Sequence, residues 1–126
     1  MAFERVCLEH IRQIKSKLGI SGVYTEINSW CCKKDENKGI YGSQIDLLIV
    51  RKDQVINLCE MKYSLCEYTI KEKTDADIRK KISDLRTVTN TKYAIFPTLI
   101  TTYGLTQNGY ALNIQDVVTL KDLFLC

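Results

Sequence analysis

The chain has 126 residues, of which 45% are hydrophobic and 26% charged, and it carries a formal net charge of +3. This length is enough to bury one sizeable core but not two, and the composition is ordinary for a soluble globular domain. A net charge this small does not indicate nucleic-acid binding by itself, and no apolar run approaches the roughly 18 residues of a membrane-spanning helix. We therefore expect a single domain over residues 1–126 with no membrane contact.

Six cysteines are spread along the chain without a CxxC pair, and the single histidine, His10, leaves little material for a zinc site. The N-terminal segment is amphipathic and of mixed charge, and it lacks the apolar stretch of a signal peptide. We expect a cytoplasmic protein whose cysteines are reduced and mostly packed in the core. His10 lies in the middle of a predicted helix and is expected to be structural rather than catalytic.

The first half of the chain begins with a helical pattern. Hydrophobic residues at helical spacing predict an opening helix over residues 3–18, and Gly19 suits the position after its C-cap. Residues 23–30 predict a strand. The polar stretch 31–43 contains two glycines and predicts a loop or hairpin turn.

The clearest strands are residues 44–50 and 55–64, which are joined by a loop short enough for a hairpin. Thr74 is predicted to cap a second helix, whose outer side carries a basic cluster that is most often a solvated face. Residues 92–104 predict another strand or pair of strands, and VVTLKDLFL predicts a short strand that leads into a short terminal helix. This order predicts an α/β domain with a mixed central β-sheet flanked by helices.

Charged residues interrupt the two clearest strands. Successive strand side chains point to opposite faces, so Glu60 and Lys62 share one face with the apolar Ile56 and Leu58. Asp46 interrupts the preceding strand in the same way. Because burying an unpaired charge is unfavourable, these residues either mark an end of the sheet that is open to solvent or have a function.

The length of the hairpin loop decides whether Asp46 meets Glu60. A loop of three or five residues pairs the two carboxylates directly, with Cβ atoms about 4.5–5.5 Å apart. A four-residue loop instead pairs Asp46 with Cys59, which lies on the other face.

Two carboxylates at so short a distance repel each other unless a cation lies between them. Mg²⁺ is commonly held by one or two carboxylates together with waters and substrate phosphates. Asp46, Glu60 and Lys62 therefore suggest metal-assisted phosphodiester hydrolysis, in which the lysine orients the attacking water or stabilises charge on the phosphate. The alternative is a solvated ion pair at the end of a strand.

Asp46, followed after a hairpin by Glu60-Met61-Lys62, resembles the catalytic core of the PD-(D/E)XK, restriction-endonuclease-like nuclease superfamily. The wider pattern resembles one branch of it, the nuclease-like C-terminal domain of a group of prokaryotic P-loop ATPases. The segments that carry this wider resemblance are residues 45–49, 56–62, 101–105 and 118–124. The resemblance implies a restriction-endonuclease-like fold and a metal-dependent nuclease that acts on DNA.

Residue by residue, the resemblance implies that Asp46 and Glu60 ligate Mg²⁺ or Mn²⁺, with the Met61 carbonyl as a third ligand. Lys62 would be the catalytic lysine, and Glu4 of the opening helix would complete the site through a water or a second ion. Glu9 competes with Glu4 for that role. Gln44 stands where some relatives carry a carboxylate, which argues against a second metal there.

The chain lacks the GxxxxGK[ST] phosphate-binding loop of those ATPases. We therefore expect a stand-alone or excised C-terminal nuclease-like domain, with an ATPase domain in a parent protein and a homodimer as further candidate partners. Two alternatives remain open at this stage. One is a catalytically silent binding module on the same fold, and the other is a structural appendage that docks onto an ATPase or dimerises through a strand edge.

Overall fold

The computed structural model describes residues 2–124, which form helices, strands and two short 3₁₀ turns. The helices are α1 (Ala2–Glu9), α2 (Ile11–Lys17), α3 (Glu72–Thr89) and α4 (Leu120–Leu123). The strands are β1 (Thr25–Cys32), β2 (Ser43–Arg51), β3 (Val55–Lys62), β4 (Ala94–Thr101) and β5 (Asp116–Thr119). None of the described helices is long and apolar enough to cross a membrane.

The strands form one five-stranded mixed sheet in the order β1-β2-β3-β4-β5. β1, β2 and β3 pair antiparallel, whereas β4 and β5 continue the sheet in parallel to β3. Arg51 pairs with Val55, so the hairpin loop contains the three residues 52–54, and its last residue, Gln54, has a left-handed φ of 68°. The predicted α/β class, with helices flanking a mixed sheet, is confirmed.

The two faces of the sheet pack against different helices, because strand side chains alternate between them. Cys59 of β3 points into a cluster on the α1, α2 and α4 side, where Phe3, Ile14 and Leu123 are buried. Leu58 points into a second cluster beneath α3. The members of the second cluster are Ile45, Leu48, Ile56, Leu58 and Leu85.

The described cysteines are free, and the expectation that most of them pack in the core is wrong, because Cys31 and Cys66 are exposed and Cys32 is half-buried. Cys7 and Cys59 are buried in the cluster on the α1 side, as predicted for core residues. Burial raises the pKa of the Cys7 thiol to about 12, because an apolar environment disfavours the thiolate. These two thiols therefore contribute packing rather than reactivity.

The predicted single helix over residues 3–18 is wrong, because the chain breaks at His10. The imidazole Nδ1 donates a hydrogen bond to the Val6 carbonyl at 2.7 Å, and the His10 amide donates to the Cys7 carbonyl in a tighter turn. The ring also packs edge-on against Phe124, with ring centroids 4.9 Å apart. Gly19 follows the second helix with a left-handed φ of 75°, as its predicted position requires.

One further boundary differs from the predictions. α3 begins at Glu72 after Lys71 as N-cap, so Thr74 lies inside the first turn and does not cap the helix. Residues 94–101 form one strand, the first of the two predicted alternatives, and β5 pairs with it only from Thr98 onward. The predicted final strand and helix are present, and Thr119 and Asp122 form a capping box between them. Leu125, the last residue of that predicted segment, lies outside the described residues.

Candidate functional site at the β2–β3 fork

The pairing of β2 with β3 ends before either strand does. The ladder runs from Arg51–Val55 to Leu47–Cys59 and stops there. Beyond that point residues 43–45 of β2 pair with β1, whereas residues 60–62 of β3 pair with β4. The sheet thus opens between residues 43–46 and 60–62, and we call this opening the β2–β3 fork.

The fork brings three predicted site residues to the same end of the sheet. Asp46 belongs to its β2 arm, and Glu60 and Lys62 belong to its β3 arm. The three-residue hairpin loop gives the predicted register at Arg51–Val55, but the ladder ends at Leu47–Cys59, so the predicted direct pairing of Asp46 with Glu60 does not form. Among the described residues, no hydrogen bond or ion pair joins Asp46 to Glu60 or Lys62.

A β-bulge lies in the β2 arm at Asp46 and Leu47. The ladder with β1 shifts by one residue between Asn28 and Trp30, so these two residues of β2 face a single residue of β1. Ile45 consequently packs in the cluster beneath α3, whereas regular alternation would place it beside Leu47 on the other face. Bulges re-aim side chains in this way and are frequent beside active sites.

Because of the bulge, Asp46 does not follow the regular alternation that would align its side chain with Glu60. Its carboxylate is exposed and accepts a hydrogen bond from Gln44 Nε2 at 3.2 Å. The Gln44 amide is therefore a neutral neighbour of Asp46. The aspartate remains open to solvent at the mouth of the fork.

Glu60 lies between two ammonium groups. Lys81 of α3 donates to Glu60 Oε1 at 2.6 Å, and Lys62 Nζ lies 4.0 Å from Oε2. The Glu60 side chain is 11% exposed, against 24% for Lys81 and 39% for Lys62. The carboxylate is thus enclosed, and the motif lysine is the most accessible of the three.

Lys81 is a residue that sequence reasoning missed, because the basic residues of α3 were assigned to its solvated side. A signal for it was present in the helical periodicity. Lys81 follows Ile78 by three residues and precedes Ile82 by one, so it borders the apolar stripe that faces the sheet. The periodicity could not show the partner of Lys81, because Glu60 lies 21 residues earlier in the chain.

The first turn of α1 lies beside the exit of β3. The ring of Phe3 contacts that of Tyr63, the residue after Lys62, at a centroid distance of 6.0 Å. Glu4 is half-buried in this turn, whereas the competing candidate, Glu9, is exposed at the far end of the helix. The structure therefore brings the helix turn that carries Glu4 to the β3 arm of the fork.

Thr101 adds an unusual feature to the same end of the sheet. Its Oγ1 is a buried side-chain oxygen without a hydrogen-bond partner within residues 2–124, whereas buried polar atoms in proteins are almost always paired. Thr101 pairs with Lys62 in the parallel ladder, so their side chains share a face of the sheet. An oxygen in this position is suited to a water or a ligand atom near the lysine.

A second carboxylate of α3 holds the β2 arm. Asp84 is fully buried and accepts hydrogen bonds from the Tyr41 amide at 2.8 Å and from the Ser43 hydroxyl. Cys32 Sγ lies 3.7 Å from the same carboxylate. Asp84 thereby attaches the polar loop and the start of β2 to α3, and sequence reasoning did not assign it a role.

The donor atoms at the fork fit a hard cation in their chemistry. Mg²⁺ prefers carboxylate and carbonyl oxygens and often takes only one or two carboxylates, with waters filling the other positions. Within residues 2–124, no cluster of three or more His, Cys, Asp or Glu side chains could hold a metal. The protein ligands at the fork would therefore be the pair Asp46 and Glu60, with the backbone of Met61, which has no β2 partner, as a further candidate.

An open groove of about 960 Å³ lies elsewhere, between α2, β1 and α4, where His10, Ile27 and Phe124 line it. None of the predicted site residues borders this groove. The fork is instead the place where the β2–β3 ladder ends, away from this groove.

No family model matches the sequence. No curated protein matches it either. The structure is similar to a crystal structure described as a protein of unknown function, AF1548, with a TM-score of 0.59 at 12% sequence identity. The match covers 94% of this chain and 64% of that one, so the chain spans just under two thirds of its length. The likeness is one of fold, an α/β domain with a mixed five-stranded sheet flanked by helices.

Proposed function

We propose that this chain is a metal-dependent nuclease domain of restriction-endonuclease-like fold that hydrolyses phosphodiester bonds in DNA. The observation that carries the proposal is the placement of Glu60 and Lys62 at the fork, 4.0 Å apart, where Asp46 enters from the neighbouring strand. A chain that needed only a stable sheet would extend the β2–β3 ladder with apolar pairs here. Instead, the two strands separate, and charged side chains lie at the opening.

Each residue has a role that its surroundings support. Asp46 and Glu60 supply the carboxylate oxygens for Mg²⁺ or Mn²⁺, which when bound polarises a phosphoryl oxygen and lowers the pKa of a bound water. Lys62 is the accessible cation of the group, so its ammonium can reach a phosphate and stabilise the charge that grows there. Glu4 holds a water from the α1 side, and the Met61 carbonyl is a candidate ligand.

The β-bulge supports a functional reading of Asp46. A bulge gives up regular pairing, and here it lies at Asp46, an exposed carboxylate next to the buried Ile45 and Leu47. The packing of Ile45 beneath α3 accounts for part of the bulge, but it does not require a carboxylate at position 46. A metal-binding role gives that exposure a purpose.

The test combines metal binding with cleavage. Calorimetric titration with Mn²⁺ is performed on the wild type, Asp46→Ala and the control Glu26→Ala, which removes an exposed carboxylate of β1 that pairs with Val50 near the hairpin turn and away from the fork. We expect the wild type and the control to bind Mn²⁺ and Asp46→Ala to lose binding. Cleavage of plasmid DNA, single-stranded DNA and RNA in the same buffers should be lost in Lys62→Ala.

The absence of Mn²⁺ binding by the wild type, with or without DNA, would contradict the proposal. Metal-independent DNA binding without cleavage would support the alternative, a catalytically silent binding module. An ATPase domain in a parent protein and a homodimer remain predictions from the sequence resemblance.

A further inference from the structure

Lys81 makes the shorter of the two ammonium contacts to Glu60. Its ammonium lies 2.6 Å from Glu60 Oε1, while Lys62 approaches the other carboxylate oxygen at 4.0 Å. Two cations therefore surround one anion that is only 11% exposed. This local excess of positive charge is unnecessary for neutralising Glu60, because one ammonium would suffice.

Neighbouring cations of α3 have other partners, which makes the position of Lys81 distinctive. Arg79 pairs with Asp75 at 2.9 Å on the helix itself. Lys80 lies over the ring of Tyr41, 5.6 Å from its centroid. Arg86 donates to backbone carbonyls after the helix. Lys81 alone among these contacts the sheet.

We propose that Lys81 is a second cationic residue of the site, which holds Glu60 until a divalent metal binds and then contacts the phosphate of the substrate. This inference rests on the proposed nuclease function. An ammonium hydrogen-bonded to a carboxylate opposes a metal at the same oxygen by charge repulsion and by occupying a lone pair. Lysine has a flexible four-carbon stem, so its head group can leave one anion for another nearby.

The arrangement has a thermodynamic consequence. A nucleic-acid phosphate that draws Lys81 away from Glu60 removes the competitor of the metal, and a metal on Glu60 releases Lys81 for the phosphate. Metal and nucleic acid then strengthen each other's binding, and by linkage the factor is the same in both directions. Binding of the metal alone is correspondingly weak.

Calorimetry with Mn²⁺ alone tests the competition directly. Lys81→Met should bind Mn²⁺ about tenfold more tightly than the wild type, the factor expected for removing one charge-assisted hydrogen bond. Lys81→Arg keeps the cation and should not gain affinity. Lys80→Met removes the adjacent lysine and should match the wild type. A gain in metal affinity is a result that mere structural damage would not produce.

Cleavage rates test the second half of the proposal. Lys81→Met should cleave DNA at least tenfold more slowly than the wild type under saturating Mn²⁺, although it binds the metal more tightly. Lys81→Gln, which keeps a hydrogen-bond donor without the charge, replaces Lys81→Met if the latter does not fold by circular dichroism. Tighter Mn²⁺ binding with unchanged cleavage would overturn the phosphate contact, and unchanged Mn²⁺ affinity would overturn the competition.

The outcomes separate this inference from the proposed function. If the wild type binds Mn²⁺ and cleaves DNA while Lys81→Met behaves as Lys80→Met does, the nuclease stands and the role of Lys81 falls. If the wild type binds no Mn²⁺ but Lys81→Met does, the competition is supported. If neither protein binds Mn²⁺ and neither cleaves, both proposals fail.

Discussion

The two ends of the β2–β3 hairpin differ in how completely their polar groups are paired. At the turn, Arg51 donates to Asp53 through two nitrogens, at 2.7 and 3.0 Å, and to Asn57 at 3.3 Å. Asn57 in turn donates to Thr98 Oγ1 at 2.9 Å, and Thr98 donates to the Phe96 carbonyl. At the fork, by contrast, the strands separate and the polar groups are incompletely matched.

The difference lies in how completely the groups are satisfied. At the turn, one cation meets one anion and the amide chain leaves none of these side chains without a partner. Within residues 2–124, two ammoniums meet Glu60 at the fork, Asp46 has only a neutral amide, and Thr101 Oγ1 has no hydrogen-bond partner. The polar groups at the turn are therefore matched with one another, whereas those at the fork are not.

The largest effect should come from the matched pair Lys62→Met and Lys52→Met. Lys52 is an exposed lysine in the turn, so its loss should leave cleavage unchanged. Loss of Lys62 should slow cleavage by about a hundredfold or more, the usual range for removing an electrostatic contact to the transition state. Both variants should unfold in urea within about 1 kcal/mol of the wild type, because solvent-accessible ion pairs contribute little. Equal cleavage rates for Lys62→Met and Lys52→Met would contradict a functional difference between the fork and the turn.

Asn57→Ala should have the largest effect on stability at the turn. It leaves Arg51 and Thr98 without their shared partner in the buried interior. We expect the free energy of unfolding to fall by about 2–3 kcal/mol, measured by urea denaturation, since unpaired buried groups carry a full desolvation penalty. Cleavage per folded molecule should not change. A loss below about 0.5 kcal/mol would contradict the structural role of this network.

The same substitution at two positions of β4 gives a finer comparison. Thr98→Val removes the hydroxyl that accepts from Asn57 and should lower stability by about 1–2 kcal/mol. Thr101→Val removes a hydroxyl that has no partner and should be neutral or stabilising by up to about 1 kcal/mol. Differential scanning calorimetry of the two variants would show the contrast. Equal destabilisation would mean that a water or ligand already satisfies Thr101.

The smallest effect concerns pH. The hydrogen bond from Arg51 holds the pKa of the Asp53 carboxyl below its ordinary value of 3.8. A carboxyl with a lowered pKa in the folded state stabilises the protein above its unfolded pKa, and this contribution is lost as the pH falls through the folded value. Asp53→Asn should therefore weaken the acid dependence of the unfolding free energy below pH 3.8. Near neutral pH, the slope of the unfolding free energy against pH should not change. If the wild type and Asp53→Asn lose unfolding free energy equally as the pH falls below 3.8, the pair with Arg51 does not persist in solution.

The hairpin was predictable because its possible registers are few. The observed loop has three residues, one of the two lengths that give the predicted register, although the ladder ends at Leu47–Cys59 before Asp46 pairs with Glu60. The alternation of apolar residues likewise placed Cys59 in the core. Both features depend on short-range periodicity, which a sequence expresses directly.

The bulge at Asp46 was not predictable, because the segment has no glycine or proline to announce it and its cause is the ladder with β1. The contact of Lys81 with Glu60 depends on how α3 crosses the sheet, which periodicity does not specify. The break at His10 arises from a side-chain bond to the Val6 carbonyl and from packing on Phe124, a residue of the opposite chain end. These features belong to tertiary contacts that no local pattern contains.

One turn of α3 holds both arms of the fork. Lys81 binds Glu60 on the β3 arm, and Asp84, three residues later, binds Ser43 and Tyr41 at the start of the β2 arm. Residues three apart lie on the same side of a helix, so this turn connects the two arms across the fork. The width of the fork is then set by the seating of α3 rather than by strand hydrogen bonds. A molecule that displaced this helix from its outer side would move both arms together.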